Sequence, residues 1–430
     1  MGRLYLFEWV SAVTYPLLLK IAQFYRLLFL RRTTIIVVVG SLGKTTTMRC
    51  IAAALGLSQP STYKQLGNAF SSVAFHILMT PPWRRFVVLE VGIGAGGQMR
   101  RYAKAIKPNL VVFTSVHSEH MLMFPDKAAI CREKSEMLKV QGVNDILVFN
   151  ADNPWVAKSA ADSLAQKWSY GRSDSAMIKA SDLELDGLKG CSFKLRIKDA
   201  DYPVRTSLVG LHQIHCVLAS CAVASALSMD MEEVISRISR LSPSPLRLNP
   251  IPLASGAVVV SDEFKSTLET IDVAFDFFEG QHFSRKILIL GSISDLRSNV
   301  KAEYRRIGNR IAEIFDLAII VGMHHRDYRA GFKLVGKSSD CLLRAGDDLP
   351  NVLKLLPQDL GDGDCILIKG RASQKLERIT FMLQEQRVKC FATQCQSELR
   401  RCESCSMLQK GWKGKRLPPQ VKDPTGISQL

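Results

Sequence analysis

The 430-residue sequence predicts an α/β fold made of two parallel-sheet units. Three observations lead there. Short β-branched runs alternate with stretches of helical periodicity, a glycine loop stands between the first such strand and the first such helix, and a Pro/Ser-punctuated segment separates two alternating blocks.

Thr34-Ile35-Ile36-Val37-Val38-Val39 is apolar at nearly every position, as expected of a parallel strand covered by helices on both faces. After the glycine loop, residues 46–57 have helical character, and further strand-like runs follow at 86–91, 110–114 and 146–150. A second block begins near residue 247, with strands expected at 257–261, 286–290, 317–321 and 365–369, and helices over 268–278 and 302–315. Leu241-Ser242-Pro243-Ser244-Pro245-Leu246 reads as the linker between them. The expected organisation is a hydrophobic helical segment (1–33), a central domain (34–245), a C-terminal α/β domain (246–385) and a Cys-containing basic tail (386–430).

With 47% apolar and 23% charged residues the chain is a folded globular protein, not a disordered one. Its 57 Lys and Arg against 40 acids leave a net charge of +17, which favours anionic partners such as nucleotides or acidic lipid surfaces. No nucleic-acid reading motif accompanies that charge, so a specific nucleic-acid partner is not expected. Eleven cysteines are present; the first seven lie in apolar contexts and read as reduced thiols of a cytoplasmic protein. The last four, Cys390, Cys395, Cys402 and Cys405, suffice in number for zinc, although only the final pair has the common spacing. Lys410, Lys413, Lys415 and Arg416 around Trp412 add a basic run.

The N-terminal segment is rich in Leu, Phe and Tyr, but Glu8, Lys20, Gln23 and Arg26 interrupt it. Its uninterrupted run, 9–19, falls short of the ~20 residues that span a bilayer. Two readings stay open: a helix packed on the body of the protein, or an interfacial helix on an anionic membrane surface, helped by Arg31 and Arg32.

Gly40-Ser41-Leu42-Gly43-Lys44-Thr45-Thr46 follows a strand and opens a helix. Glycines let the backbone N–H groups turn toward phosphate oxygens, and the helix N-terminus adds a favourable dipole. Lys44 is placed to reach the β- and γ-phosphates of ATP, and the Thr45 hydroxyl to ligate Mg²⁺. The full Walker pattern has one glycine more, where Val38 stands here. Glu90, ending a predicted inner strand, is the expected second magnesium ligand, because phosphoryl transfer needs the cation held by hard oxygens near the phosphates.

This loop resembles that of the Mur ligase family, in particular the branch that adds D-alanyl-D-alanine to a UDP-muramoyl tripeptide. Leu89-Glu90-Val91-Gly92 is similar to the family's strand ending in a metal-binding glutamate, and Ser118-Glu119-His120 with Phe124 to the segment carrying its metal-binding histidine. Glu133-Lys134-Ser135-Glu136 resembles the stretch whose lysine is carbamylated; Asn150-Ala151-Asp152 and Lys369-Gly370 also match in order. The resemblance implies a P-loop-type central ATPase domain with a mostly parallel sheet plus a C-terminal Rossmann-like α/β domain. It implies an ATP- and Mg²⁺-dependent ligase that joins a carboxylate to an amine through an acyl phosphate. Lys44, His120 and Lys134 would be its catalytic residues, with Thr45, Glu90, His120 and Lys134 at the metal. Gly40, Ser41, Leu42, Gly43, Lys44, Thr45, Thr46 and Arg247 would hold the nucleotide, Arg247 from the C-terminal side.

The sequence departs from the family at several places. A Gly-Arg-His-Asn stretch appears as Gly210-Leu211-His212-Gln213, and Asp-Asp-x-Tyr-Asn-Ala-Asn as Ser261-Asp262-Glu263-Phe264-Lys265-Ser266-Thr267. Gly291-Ser292-Ile293-Ser294-Asp295-Leu296 keeps its glycine and leucine but changes its polar positions. With the loop at residue 40 there is no room for the domain that grips the UDP-sugar in peptidoglycan ligases, so a different carboxylate substrate is expected. The competing expectation is a non-catalytic, membrane-associated scaffold that binds nucleotide and keeps the fold.

Overall fold

The computed structural model describes residues 2–57, 72–296, 299–392, 395 and 401–411, with side chains from residue 15 onward. It divides into two compact units, 1–242 and 243–430.

In the first unit an eight-stranded sheet has the order β2-β1-β3-β4-β5-β6-β7-β8. The strands are β1 (Thr34–Val39), β2 (Phe86–Glu90), β3 (Leu110–Phe113), β4 (Ile146–Asn150), β5 (Gln166–Gly171), β6 (Ile178–Leu185), β7 (Cys191–Ile197) and β8 (Ala200–Thr206). Pairing is parallel from β2 through β6, and β6, β7 and β8 then form an antiparallel meander. Successive residues of β1 feed opposite cores, as strand geometry requires. Ile35, Val37 and Val39 pack with Tyr15, Leu19 and Ala22 of helix α1 (Gly2–Phe29) and with helices α3 (Ser72–Leu78) and α4 (Gln98–Ile106). On the other face, Ile36 and Val38 meet α2 (Lys44–Ala54) and two helices beyond residue 213, Ile214–Ala226 and Met231–Ser239.

Helix α1 is thus part of the body of this unit. Arg26, buried, clamps it: Nε donates to the carbonyl of Ile106 at 3.1 Å, and Nη2 to Asn109 Oδ1 at 2.9 Å and the Lys107 carbonyl at 3.3 Å. No helix among the described residues is long and apolar enough to cross a membrane.

The second unit holds a six-stranded sheet of order β13-β12-β11-β14-β10-β9. Its members are β9 (Asn249–Pro252), β10 (Val258–Asp262), β11 (Arg285–Leu290), β12 (Leu317–Val321), β13 (Leu342–Gly346) and β14 (Asp364–Lys369), parallel except for β9. The fold is the α/β arrangement that the sequence predicts.

Part of the stretch read as a tail is folded onto this unit. The guanidinium of Arg378, fully buried, donates to the carbonyls of Cys390 and Ala392, and the amide of Cys402 donates to Glu377 Oε1. Among the described residues, the four late cysteines included, no three His, Cys, Asp or Glu side chains gather as a metal cage. Trp412, Lys413, Lys415 and Arg416 lie outside the described residues.

Candidate active site

The glycine loop leaves β1 at the carboxyl edge of the sheet, where open parallel sheets bind their ligands. Gly40 has φ +144°, and a Cβ there would stand 2.0 Å from Thr114 Oγ1. Gly43 has φ +79° and immediately precedes α2, whose first turn no side chain caps. The turn therefore presents helix N–H groups in the manner of an anion cradle. Backbone and side chains after β3 hold it in place. The Ser41 amide donates to the Ser115 carbonyl at 2.7 Å, the Leu42 amide to Ser115 Oγ at 3.1 Å, and Thr114 Oγ1 to the Leu42 carbonyl at 2.8 Å.

Each residue singled out in the first unit lies on or one step from this loop. Thr45 Oγ1 donates to Glu90 Oε2 at 2.6 Å, which brings two hard oxygen donors together at the mouth of the helix. Lys44, buried, donates to the Ser41 carbonyl at 3.0 Å and pairs with Glu119 Oε2 at 3.6 Å. His120 Nε2 stands 3.4 Å from Glu119 Oε1, so the histidine reaches the loop through its neighbour. Its backbone has φ +65°, a strained setting for a non-glycine residue and one often found at functional sites. Lys134 comes from α5 (Lys127–Ser135), is fully buried, and donates to the Gly40 carbonyl at 2.7 Å. Thr46 is buried in the first turn of α2. Arg247 belongs to the second unit, where its guanidinium stacks 4.5 Å over the Phe264 ring.

Sequence reasoning passed over Glu119, although it sits inside the quoted Ser118-Glu119-His120 segment; its burial and its pairing with Lys44 make it the charge partner of the loop lysine. Thr114 and Ser115 were also missed, since a Thr-Ser pair at a strand end gives no signal until the loop is seen to lean on it. A third addition is the pair Asp152–His215, at 2.8 Å. Burial alone would push the Asp152 carboxyl up, but His215 and the amides of Arg172 and Ser173 outweigh it and hold the group well below the usual carboxylate range. These residues line an open cleft of about 820 Å³ that also takes in Lys179 and Asp182. The cleft lies close to the phosphate loop in space, because Cys216, next to His215, places its sulfur 3.7 Å from the Gly43 carbonyl.

Comparison with known proteins supplies the rest. Residues 38–224 match the Mur ligase middle domain, the span from β1 through the helix Ile214–Ala226. The UDP-N-acetylmuramoyl-tripeptide–D-alanyl-D-alanine ligase of Mycobacterium tuberculosis is 25% identical over 362 residues, 78% of this chain and 70% of that protein. Residues 38–224 thus form a Mur ligase middle domain. Two solved structures share its fold. MurF from Acinetobacter baumannii superposes with a TM-score of 0.76 at 21% identity, over 87% of this chain and 81% of that one. MurF from Thermotoga maritima in complex with ADP gives 0.73 at 21% identity, over 87% and 84%. That middle domain is built around the loop at 40–45.

In the second unit, Asp262 and Lys369 form an ion pair at 2.8 Å, and Lys369 also donates to the Lys265 carbonyl at 2.6 Å. Burial raises the Asp262 carboxyl, against the opposing pull of Lys369. Glu263, beside it, accepts from Ser261 Oγ at 2.9 Å and is pushed up to about 8 by burial and by the nearby Glu377.

Proposed function

We propose that this chain is an ATP-dependent carboxylate–amine ligase of cell-wall peptide synthesis. What supports this most is that Thr45–Glu90, Lys44–Glu119 and Lys134–Gly40 all converge on one phosphate-type loop. A scaffold that had given up catalysis would need the glycine turn for its shape but not this set of charged side chains around it.

The residues fit the groups the reaction needs. Positive φ at Gly40 and Gly43 opens the loop backbone to phosphate oxygens, and Thr45 and Glu90 provide oxygen ligands for Mg²⁺. The magnesium ion, when bound, neutralises phosphate charge and polarises the transferred phosphoryl group. Lys44 adds positive charge at the phosphates, and Glu119 fixes its direction. The substrate carboxylate attacks the γ-phosphorus, forming an acyl phosphate and releasing ADP. The amine then adds to the acyl carbon and expels inorganic phosphate, leaving an amide. Bringing three anionic groups together is the main barrier, so positioning and charge carry the catalysis. His120 and Lys134 are assigned to the carboxylate side of the site, Lys134 as a carbamate, and Arg247 to the nucleotide. The cleft beside Asp152 and His215, rich in hydrogen-bonding groups, is assigned to the nucleoside end of ATP. ATP chemistry and a full set of free thiols agree with work in the cytoplasm.

The test is phosphate release from ATP in the presence of UDP-muramoyl tripeptide and D-alanyl-D-alanine, then of other muramoyl peptides and amines. Turnover is expected only when carboxylate and amine are both present. Nucleotide binding that no such pair converts to turnover would overturn the assignment and favour the scaffold.

A further inference from the structure

The outer side of α1 has no role in the ligase reading. Tyr15, Leu19, Ala22, Arg26 and Leu30 face the sheet and are buried. Leu17, Ile21, Phe24 and Leu28 follow the same helical spacing on the opposite side and are exposed, Phe24 at 64%. A helix that only covered the sheet would carry polar residues there. Tyr25 OH donates to the Thr80 carbonyl at 2.8 Å, which sets the turn after α3 beside the last turns of α1. That turn carries Met79, 64% exposed, and Trp83, 85% exposed.

The charge around this stripe is one-sided. Between Glu8 and Glu119 the sequence has thirteen lysines and arginines and a single acid, Glu90, which is engaged with Thr45. Lys20, Arg31, Arg32 and Arg85 are exposed on α1 or the chain next to it. Arg100, Arg101, Lys104 and Lys107 are exposed on or just after α4, the helix to which Arg26 clamps α1.

We propose that the outer stripe of α1, the Met79–Trp83 turn and the basic face of α4 form a docking surface for an anionic lipid bilayer. The apolar side chains enter the interfacial region and the flanking cations pair with lipid phosphates. An amphipathic element with aromatic and leucine side chains between basic flanks is the composition that holds a helix in the bilayer interface without spanning it. Complementary charge favours lipid over a second copy of this chain, whose identical patch would bring cations against cations. The exposed Trp83, Phe24 and Leu28 favour lipid over nucleic acid, which would leave the stripe in water. The surface would hold the ligase at a membrane where lipid-linked or membrane-proximal carboxylates are made; docking itself does not depend on the ligase assignment.

The full chain is tested by flotation with phosphatidylcholine vesicles and with vesicles containing about one-third phosphatidylglycerol. Binding is expected only to the anionic vesicles, and weaker at high salt. Arg100→Ala/Arg101→Ala/Lys104→Ala should lower the partition about a hundredfold. Phe24→Ser/Leu28→Ser/Trp83→Ser should reduce it at least about tenfold, and both triple variants should keep the wild-type circular dichroism and melting temperature. Several results would overturn the proposal: no flotation with anionic vesicles, flotation that neither variant weakens, or a dimer that the Phe24→Ser/Leu28→Ser/Trp83→Ser variant abolishes while flotation persists. RNA binding lost in the basic variant without any vesicle binding would overturn it too. ATP turnover is measured separately, so a docking failure and a failure of the ligase reading are distinguishable.

Discussion

Lys134 offers the sharpest separation of chemistry from packing. Its side chain is completely buried and its amine donates to the carbonyl of Gly40, the first residue of the phosphate loop, at 2.7 Å. Replacing it with methionine keeps most of the volume and removes the donor. A hydrogen bond to a charged group is worth about 1.5–3 kcal/mol, so Lys134→Met should destabilise the first unit by about that amount. Lys134→Ala also opens a cavity, and large-to-small core changes cost a further ~2–5 kcal/mol. The two variants should therefore separate clearly in thermal or urea unfolding. Their turnover should not separate: both lack the amine assigned to the carboxylate side of the proposed site, and both should fall to background in ATP-coupled phosphate release while ADP still binds. If the amine acts as a carbamate, removing bicarbonate and CO₂ should also slow the wild-type enzyme and leave the Met variant unchanged. Wild-type turnover in a stable Lys134→Met protein would refute the reasoning, because the lysine would then be only a packed strut beneath the loop.

Two further outcomes follow from the same geometry. Glu90→Gln keeps a hydrogen-bond acceptor for Thr45 Oγ1 but loses the negative charge, so the enhancement of ADP binding by Mg²⁺ in calorimetry should fall by at least about tenfold while metal-free binding stays near wild type; unchanged magnesium dependence would remove Glu90 from the metal. Glu263 is raised from 4.5 to about 8 by burial and the nearby Glu377, so the folded state holds a proton that the unfolded state releases. Its contribution is fully present below about pH 4.5 and is lost as pH rises through about 8, a cost on the order of 5 kcal/mol at ~1.4 kcal/mol per pKa unit. Melting followed from about pH 5 to about pH 9 should show this decline in the wild type and a flatter profile in Glu263→Gln; parallel profiles would place the proton elsewhere.

Much of this fold is legible in the sequence. The central strands are apolar on both faces, and such runs stand out because both sides of a parallel sheet need covering: β1, β3, β11 and β14 fall where the sequence puts them. The meander β6–β8 went unread. It lies at the sheet edge, and a run such as Ile178–Leu185, with Ser181, Asp182 and Glu184 on a partly exposed strand, carries little of the hydrophobic signal that marks the interior. The loop at 40–45 and its motif partners were readable from spacing, because glycine, lysine and threonine each do a distinct job there. Glu119 was not, since a buried ion pair is a property of two distant segments brought together. Nor did the late cysteines reveal their settings: Arg378 holds the Cys390 carbonyl and Glu377 the Cys402 amide, and backbone recognition leaves no trace in side-chain identity.

The departures from the family's sequence have a pattern that bears on whether the chemistry persists. In the segment 261–267, the positions that keep family residue types are those that bind the second unit's framework. Asp262 pairs with Lys369, Lys369 also ties down the Lys265 carbonyl, and the aromatic ring at 264 supports Arg247. The replaced positions bring two hydroxyls, Ser266 Oγ and Thr267 Oγ1, that are buried without a hydrogen-bond partner among the described residues. Each such orphan costs about 1–3 kcal/mol, and alanine or valine would avoid it. Stability alone would not keep hydroxyls there, and simple decay of a site would not preserve Asp262, Lys369 and the aromatic beside them. For the ligase proposed above, a retained frame with new polar groups set into it fits a changed substrate better than lost activity, which would relax frame and groups together.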